Sequence, residues 1–193
     1  MSRMLPDLPD DHDINHLRGA LRILKENIEF NIAIDGGAHR GIWTSIFAER
    51  FKCVYAFEPM TENFIRIPDF DNVNKINCAL GNEEGTFCMA PGKHNTGQWH
   101  IGLDKNNLNP TAIVRLDSYN LSPDLIKLDI EGFELLALKG AEETIKRSKP
   151  AIMVEMNGLS ERYDYTDDDL RTYLSDFGYR EVGKWNKDYL FLS

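Results

Sequence analysis

The sequence predicts an α/β fold built on a mostly parallel, seven-stranded sheet with helices on both faces and an antiparallel hairpin at its end. Two observations support this prediction. From residue 31 onward, short apolar segments alternate with helical patterns, which is typical of a parallel sheet covered by helices. The last two apolar segments are joined only by residues 183–188, a link too short for a crossover helix. We therefore expect these two strands to pair antiparallel.

The individual elements follow from the local patterns. Apolar residues recur at helical spacing over 14–27, which predicts an amphipathic helix packed on the body of the fold. The expected strands of the main sheet are 31–35, 53–57, 74–80, 125–129, 151–155, 179–183 and 189–192. The remaining expected helices are 41–50, 61–66, 132–147 and 167–177, and two further short strands are expected at 86–89 and 112–116.

The domain organisation is predicted to be simple. A chain of 193 residues with 42% apolar and 27% charged residues fits one globular domain over 1–193. We expect an N-terminal arm and helix over 1–30 and an α/β core over 31–193. The polar segment near 90–110 interrupts the alternation of strands and helices, and such loops often bind substrates. We therefore expect the substrate loop there.

Composition also limits the partners and the location. A net charge of −9 with scattered basic residues argues against a nucleic-acid partner, because phosphate binding requires clustered Lys and Arg. No apolar run is long enough to span a membrane, and the N-terminus lacks the apolar core of a signal peptide. The 3 cysteines form no C-x-x-C pair, which favours free thiols over a disulfide or a zinc site. We expect a cytoplasmic protein.

A glycine-rich loop follows the first expected strand of the core. Asp35 ends that strand, and Gly37, Ala38 and Gly41 form the loop after it. Glu58 ends the next strand, about 20 residues after Gly37. Glycines let the backbone approach a cofactor, and an acid on the second strand accepts hydrogen bonds from the ribose hydroxyls. The spacing therefore indicates a nucleotide cofactor bound by these five residues.

The order of acid and glycines favours S-adenosylmethionine over a dinucleotide. Asp35 would repel a pyrophosphate, whereas it would either orient the loop or reach the ammonium of S-adenosylmethionine. Ala79 and Leu80 end the third strand, where the adenine would lie. The terminal hairpin is typical of class I methyltransferases and is absent from ordinary dehydrogenases. A nicotinamide-dependent oxidoreductase and a non-catalytic cofactor-binding protein remain as alternatives.

A second set of acids follows the expected strand 125–129. Asp129 ends this strand and Glu155 ends its expected neighbour, so both could face one pocket. Such carboxylates could take a proton from an acceptor hydroxyl or hold a divalent cation such as Mg²⁺. Glu131 and Glu134 follow Asp129, where negative charge also stabilises a helix N-terminus. Lys127 lies inside the apolar strand and is expected to extend to the surface or to pair with an acid.

Three histidines could reach the site. His94 and His100 lie in the expected substrate loop, and either could act as the base because imidazole titrates near neutral pH. His39 lies in the glycine loop. The expected acceptor is a small molecule or a glycan that carries a hydroxyl group.

The succession of motifs resembles the FkbM family of S-adenosylmethionine-dependent methyltransferases over about residues 31–157. The motifs are Asp35-Gly-Gly-Ala-His-Arg-Gly41, Ala56-Phe-Glu-Pro59, Ala79-Leu-Gly81, Val114-Arg-Leu-Asp117, Ile126-Lys-Leu-Asp-Ile-Glu-Gly-Phe-Glu134, Leu138-Lys-Gly-Ala141 and Pro150-Ala-Ile-Met-Val-Glu155. The resemblance implies a class I fold and O-methylation of a sugar or a natural product.

The resemblance also implies roles for individual residues. Asp35, Gly37 and Glu58 would bind the cofactor, and Asp129 and Glu131 would lie in the active-site region. The pair His39-Arg40 departs from the family pattern, because it is bulkier and more basic than the small or polar residues expected there.

Overall fold

The computed structural model of the protein describes residues 11–90, 100–102 and 110–193, and from residue 19 onward it also describes their side chains. The strands are β1 Ile32–Gly36, β2 Cys53–Phe57, β3 Val73–Ile76, β4 Ala79–Leu80, β5 Gly85–Ala90, β6 His100–Gly102, β7 Pro110–Val114, β8 Leu125–Leu128, β9 Ala151–Glu155, β10 Arg180–Trp185 and β11 Asp188–Leu192. The helices are α1 Asp11–Asn27, α2 Ile42–Ala48, α3 Thr61–Phe64, α4 Glu134–Lys139, α5 Glu142–Ser148 and α6 Asp167–Asp176, with 3₁₀ turns at Leu116–Tyr119 and Leu159–Tyr163.

The main sheet has the predicted architecture. Its 7 strands lie in the order β10-β11-β9-β8-β1-β2-β3. The strands from β9 to β3 pair in parallel, whereas β11 pairs antiparallel with both β9 and β10. The predicted fold class, with its terminal hairpin, is confirmed. Because β8 lies between β1 and β9, the residues that follow these three strands meet at one edge of the sheet.

Alternating side chains bury both faces of the sheet. On β1, Ile34 points into a core shared with α4, α5 and α6, and Ala33 points into the core on the opposite face, which is shared with α1 and α2. The predicted N-terminal helix packs as scaffold, since its Ala20 and Leu24 are buried in that second core. Among the described residues, no helix is long and apolar enough to cross a membrane.

One expected strand is divided between two sheets. Residues 74–80 are predicted as a single strand, but β3 belongs to the main sheet and β4 to a second sheet of 4 strands, ordered β4-β7-β5-β6. The chain turns at Asn77, whose side-chain amide donates to the carbonyls of Glu58 and Pro59 at 2.8 and 3.1 Å. These hydrogen bonds hold the turn against the end of β2. The expected short strands at 86–89 and 112–116 correspond to β5 and β7 of the second sheet.

One expected helix is divided into two. Residues 132–147 form α4 and α5, which are separated at Gly140. The carbonyl of Gly140 accepts from the amide of Asp117 at 3.0 Å. The carboxylate of Asp117 accepts from the amides of Thr144 and Glu143 at 2.8 and 3.2 Å, and thereby caps the start of α5. A new helix therefore begins where the sequence pattern continues without a break.

We expect Gly140→Ala to destabilise the fold by about 1–3 kcal/mol, because a Cβ in a packed backbone contact forces both segments apart. A Cβ at position 140 would lie 1.8 Å from the carbonyl oxygen of Gly81. The backbone of Gly140 is right-handed, with φ −77°, so the cost would come from packing alone. Urea unfolding of both proteins measures this difference.

Gly178→Ala is the matched control. The backbone of Gly178 is left-handed, with φ 83°, and a Cβ at this position would have no described atom within 4 Å. Its cost should be only about 1 kcal/mol, from backbone strain. A Gly140→Ala protein as stable as the wild type would contradict the described contact between Gly140 and Gly81.

Candidate active site

A cavity of about 260 Å³ opens at the carboxyl edge of the main sheet, between this edge and the second sheet. Residues after β1, β2 and β8 form one side of it, and residues of β4, β5 and β6 form the other. The described residues that line it are Gly37, His39, Phe57, Glu58, Pro59, Met60, Asn63, Cys78, Ala79, Leu80, Met89, His100, Ile101, Asp129, Ile130, Glu131 and Phe133. This edge of an open α/β sheet is where ligands of such folds bind.

The glycines of the loop after β1 allow close backbone contacts. Gly37 has φ 77°, and a Cβ there would lie 1.9 Å from the carbonyl oxygen of Asp129. The amides of Gly37 and Ala38 both donate to the carbonyl of Phe57 at 3.0 Å. Gly41 has φ 83° and precedes α2, and a Cβ there would lie 2.7 Å from Pro68. Gly37 therefore packs the loop against the end of β8, and Gly41 packs the start of α2.

Glu58 connects this loop to β2. One carboxylate oxygen, Oε2, accepts from the amide of His39 at 2.7 Å, and Oε1 accepts from the amide of Met60 at 2.9 Å. Burial raises the pKa of Glu58, although these two hydrogen bonds and a third from the side chain of Asn63 act in the opposite direction. Each carboxylate oxygen can accept a second hydrogen bond. Glu58 is thus positioned by the loop and can still bind a ligand in the cavity.

Asp35 lies beneath α2 and outside the residues that line the cavity. Its carboxylate accepts a hydrogen bond of 2.6 Å from the hydroxyl of Thr44 on α2. Lys127, its register partner on β8, places Nζ 3.4 Å from the other carboxylate oxygen of Asp35. Two roles were considered for Asp35, namely orienting the loop and reaching the ammonium of the cofactor. Its contacts with Thr44 and Lys127 fit the first of these roles.

Lys127 pairs with acids. This is one of the two arrangements that the sequence predicts for its side chain. Its Nζ lies 3.4 Å from Asp35 and 3.7 Å from Asp129, and only 2% of the residue is exposed. Burial by itself would lower the pKa of Lys127, but the carboxylates of Asp35, Asp129 and Asp188 raise it above its ordinary value. Lys127 is therefore a buried cation between the glycine loop and the acids after β8.

A tight turn after β8 presents Glu131 to the cavity. Glu131 has φ 56° and Gly132 has φ 96°. The buried carboxylate of Glu134 accepts from the amides of Ile130 and Gly132 at 2.9 and 3.3 Å. The hydroxyl of Tyr165 accepts from the amide of Leu135 at 3.0 Å and donates to the carbonyl of Gly132. Glu134 and Tyr165 therefore hold the turn, and Glu134 has a structural role here.

The acids after β8 and β9 differ in their contacts. Burial and the nearby carboxylate of Asp129 raise the pKa of Glu131 to about 7, and no hydrogen bond reaches its carboxylate from the described residues. The carboxylate of Glu155 accepts from the side-chain amide of Asn157 at 2.6 Å. Burial and the charges of Asp129 and Glu131 raise the pKa of Glu155 to about 8. Among these acids, Glu131 is the one that combines a place in the cavity with an uncommitted carboxylate.

The structure brings most predicted site residues together. Gly37, Glu58, Ala79, Leu80, Asp129 and His100 line the cavity. Asp35, Ala38, Gly41 and Glu155 lie outside the described lining. His94 lies outside the described residues.

The second sheet contributes an apolar wall that no pattern in the sequence predicted. Met89 on β5 and Ile101 on β6 line the cavity, and the hydroxyl of Tyr163 donates to the carbonyl of Ile101 at 2.9 Å. These are ordinary buried residues of short strands. Their position depends on the pairing of β5 with β6 and β7, which no local pattern indicates.

A metal site finds no support in this geometry. Within the described ranges, no group of three or more His, Cys, Asp or Glu side chains is arranged to hold a metal ion. Asp129 and Glu155, the two carboxylates considered for Mg²⁺, are engaged by Lys127 and Asn157 respectively.

Comparison with protein families decides the class of the protein. The sequence-family model of the methyltransferase FkbM domain matches residues 35–181 of this chain. The chain belongs to the FkbM methyltransferase family. This family match favours a methyltransferase over the nicotinamide-dependent oxidoreductase. No curated protein sequence matches the chain significantly.

Solved structures share the fold of this FkbM methyltransferase domain. The methyltransferase FkbM of Methylobacillus flagellatus aligns with a TM-score of 0.59 and 19% identity over 96% of this chain, which spans only 56% of that chain. A Streptococcus mutans protein described as a methyltransferase, solved in complex with SAH, aligns with a TM-score of 0.53 and 12% identity, and each chain is covered to 97%. An rRNA methylase of Streptococcus thermophilus aligns with a TM-score of 0.50 and 16% identity over 91% of this chain and 93% of that chain. At these identities the likeness shows the fold alone.

We expect Glu134→Gln to stabilise the FkbM domain near pH 8 and to flatten the pH dependence of its stability. Burial raises the pKa of Glu134 from 4.5 to about 8, so the folded protein keeps a proton that the unfolded chain releases. The stability from this proton is complete below about pH 4.5 and is lost as the pH rises through about 8. Gln keeps an oxygen acceptor for the amides of Ile130 and Gly132 and carries no charge.

Thermal unfolding of both proteins between about pH 5 and about pH 8 measures this effect, and a gain of 1 kcal/mol corresponds to about 2–4 °C. Glu62→Gln, at an exposed position on α3, is the control for the loss of a surface charge. Parallel pH profiles for the wild type and Glu134→Gln would contradict the described burial of Glu134.

Proposed function

We propose that the protein transfers a methyl group from S-adenosylmethionine to a hydroxyl group of a small-molecule or glycan acceptor. One observation carries the proposal. The carboxylate at the end of β2 and the glycine loop after β1 face the same cavity, and Glu58 joins them through the amide of His39. Membership of the FkbM family supports the same cofactor.

The cavity walls suggest how the cofactor would lie. Glu58 would accept hydrogen bonds from the ribose hydroxyls through the acceptor capacity that His39, Met60 and Asn63 leave available. Ala79 and Leu80, at the start of the second sheet, would pack beside the adenine. Gly37 lines the cavity between the ends of β1 and β8, and the methionine portion could lie against its backbone.

The acceptor would lie beside the turn after β8. S-adenosylmethionine supplies a methyl group that is already activated by its sulfonium. The protein must therefore align the acceptor oxygen with that methyl group and remove the hydroxyl proton. Asp129, Glu131 and His100 line this part of the cavity, with Phe133 beside them. The apolar ring of Phe133 would exclude water from the reacting groups.

Glu131 is the base that this geometry favours. Asp129 pairs with Lys127, and Glu155 is bound by Asn157. Glu131 has no such partner among the described residues, and burial raises its pKa to about 7. A base is most effective when its pKa lies near the working pH. Of the bases predicted from sequence, Asp129 and His100 remain in the cavity as residues that would position the acceptor.

The charges in the cavity bear on the acceptor class. The described lining contains Glu58, Asp129 and Glu131 but no Lys or Arg. An uncharged or cationic acceptor suits this surface better than a phosphate-rich one, because like charges repel. This distribution supports a hydroxylated small molecule or glycan over a nucleic acid. The described cysteines are free thiols, in keeping with a cytoplasmic location as part of the proposal.

We expect Glu58→Ala to weaken the binding of S-adenosylhomocysteine by about tenfold or more, because both ribose hydroxyls lose their acceptor. Calorimetric titration measures the affinity, and thermal unfolding shows whether the variant is folded. Glu58→Gln, which keeps one oxygen acceptor, should be less affected. Glu62→Ala on the surface of α3 is the control. An unchanged affinity in folded Glu58→Ala would place the ribose elsewhere.

We expect Glu131→Gln to lower kcat by about 100-fold or more while the affinity for S-adenosylmethionine changes little. In the wild type, the rate should rise as the pH increases through about 7, because the carboxylate must be deprotonated to accept the hydroxyl proton. Transfer of labelled methyl groups to a panel of methyl glycosides measures both effects. A Glu131→Gln enzyme with the wild-type rate and pH profile would exclude Glu131 as the base.

A further inference from the structure

His39 combines two unfavourable features in one residue of the cavity wall. Its backbone is left-handed, with φ 52°, a conformation that costs a residue with a side chain roughly 1–2 kcal/mol. Its ring nitrogen Nε2 is buried without a hydrogen-bond partner among the described residues. Buried polar atoms are almost always paired, and an unpaired one requires an explanation. Both features occur where His39 lines the cavity.

Most other non-glycine residues with positive φ have a local reason for it. Asn120, Lys149 and Asp164 each cap the end of a helix, where the left-handed conformation is common. Asn186 lies in the tight link between β10 and β11, and Asn tolerates this conformation. His39 ends no helix and is neither Asn nor Asp, although it lies in a tight turn closed by the hydrogen bond from the amide of Gly41 to the carbonyl of Ala38. Strained residues cluster at functional sites.

The backbone of His39 is held in place by its neighbours. Its amide donates to Oε2 of Glu58 at 2.7 Å, and the amide of Gly41 donates to the carbonyl of Ala38 at 2.8 Å across the same turn. The backbone of His39 is therefore held next to the carboxylate that would bind the ribose. In the proposed arrangement, this position is on the cofactor side of the cavity, and the turn with Glu131 and Phe133 would form the acceptor side.

The surroundings of the imidazole favour its neutral form. Burial lowers the pKa of His39 below its ordinary value of 6.5, and the neighbouring cations outweigh the attraction of Asp129. A neutral imidazole offers one N–H donor and one acceptor. Five charged groups face the imidazole. They are Arg40 in the loop, Glu58 after β2, Lys127 on β8, Asp129 after β8, and Arg66 after α3.

We propose that Nε2 of His39, buried in the cavity wall without a partner among the described residues, forms a hydrogen bond with the bound cofactor. This inference rests on the proposed function. The cofactor supplies the partner that the buried nitrogen lacks, and the hydrogen bond offsets the cost of its burial. His39 departs from the small or polar residues expected in this loop, so the contact is a property of this chain.

Protonation of His39 has a different consequence for the two cofactor forms. An imidazolium would repel the sulfonium of S-adenosylmethionine, whereas S-adenosylhomocysteine carries no charge on its sulfur. Acidification should therefore weaken S-adenosylmethionine more than S-adenosylhomocysteine. Glu58, Asp129 and Glu131 are present in both the wild type and a His39 variant. A comparison of the two proteins therefore isolates the contribution of the imidazole.

Calorimetric titration of each cofactor form into the full chain, at about pH 8 and about pH 5.5, tests the proposal. The proteins are the wild type, His39→Asn and His39→Gly. Asn tolerates the left-handed backbone and does not titrate, and Gly also removes the strain. At about pH 8 we expect both variants to bind both forms about fivefold more weakly, since one hydrogen bond is lost.

The pH dependence supplies the decisive comparison. In the wild type, the affinity ratio of S-adenosylmethionine to S-adenosylhomocysteine should fall several-fold more on acidification than in His39→Asn. Equal affinities and equal pH dependence in the wild type and His39→Asn would overturn the inference while leaving the proposed function intact. A wild-type protein that binds neither form at either pH would contradict the proposed function, and with it this inference.

Discussion

A buried ion pair between Asp35 and Lys127 connects the parts of the structure from which the cavity is built. It joins the middle strands β1 and β8, and Thr44 extends it to α2 through a hydrogen bond of 2.6 Å. Removing one partner of such a pair leaves an uncompensated buried charge, which typically costs about 3–5 kcal/mol. The glycine loop lies between β1 and α2 and the acidic turn follows β8, so the position of both depends on this pair.

The same ion pair separates the roles of the acids around it. Lys127 also reaches Asp129 at 3.7 Å, so one cation holds an acid behind the loop and an acid inside the cavity. Glu134 accepts hydrogen bonds from the amides of the turn, and Glu58 accepts them from the amides of His39 and Met60. Glu131 is left without a hydrogen bond from the described residues. Neighbouring carboxylates thus differ in their contacts, and residue type alone does not show this.

Much of the fold could be predicted from sequence, because its signals are local. The alternation of strands and helices, the short link between β10 and β11, and the spacing of Gly37 and Glu58 each lie within a few dozen residues. The second sheet could not be predicted, since β4 and β5 both pair with β7 across long separations in the sequence. The break at Gly140 was missed for a similar reason, because it depends on the carbonyl of Gly81 and the carboxylate of Asp117. At the site, the ends of β1, β2, β8 and β9 were predicted to within one residue, while the end of the third strand and the contacts of each acid depended on the tertiary structure.

The most direct test of the account is calorimetric titration of S-adenosylmethionine and S-adenosylhomocysteine into the wild-type protein, with Mg²⁺ and with a chelator. We predict micromolar binding of both, with one site per chain, because the cavity contains a preformed ribose acceptor and a glycine loop. The affinity should be the same with the chelator, since the described residues offer no metal site. Absence of binding in both conditions would contradict the assignment of the cavity as a cofactor site.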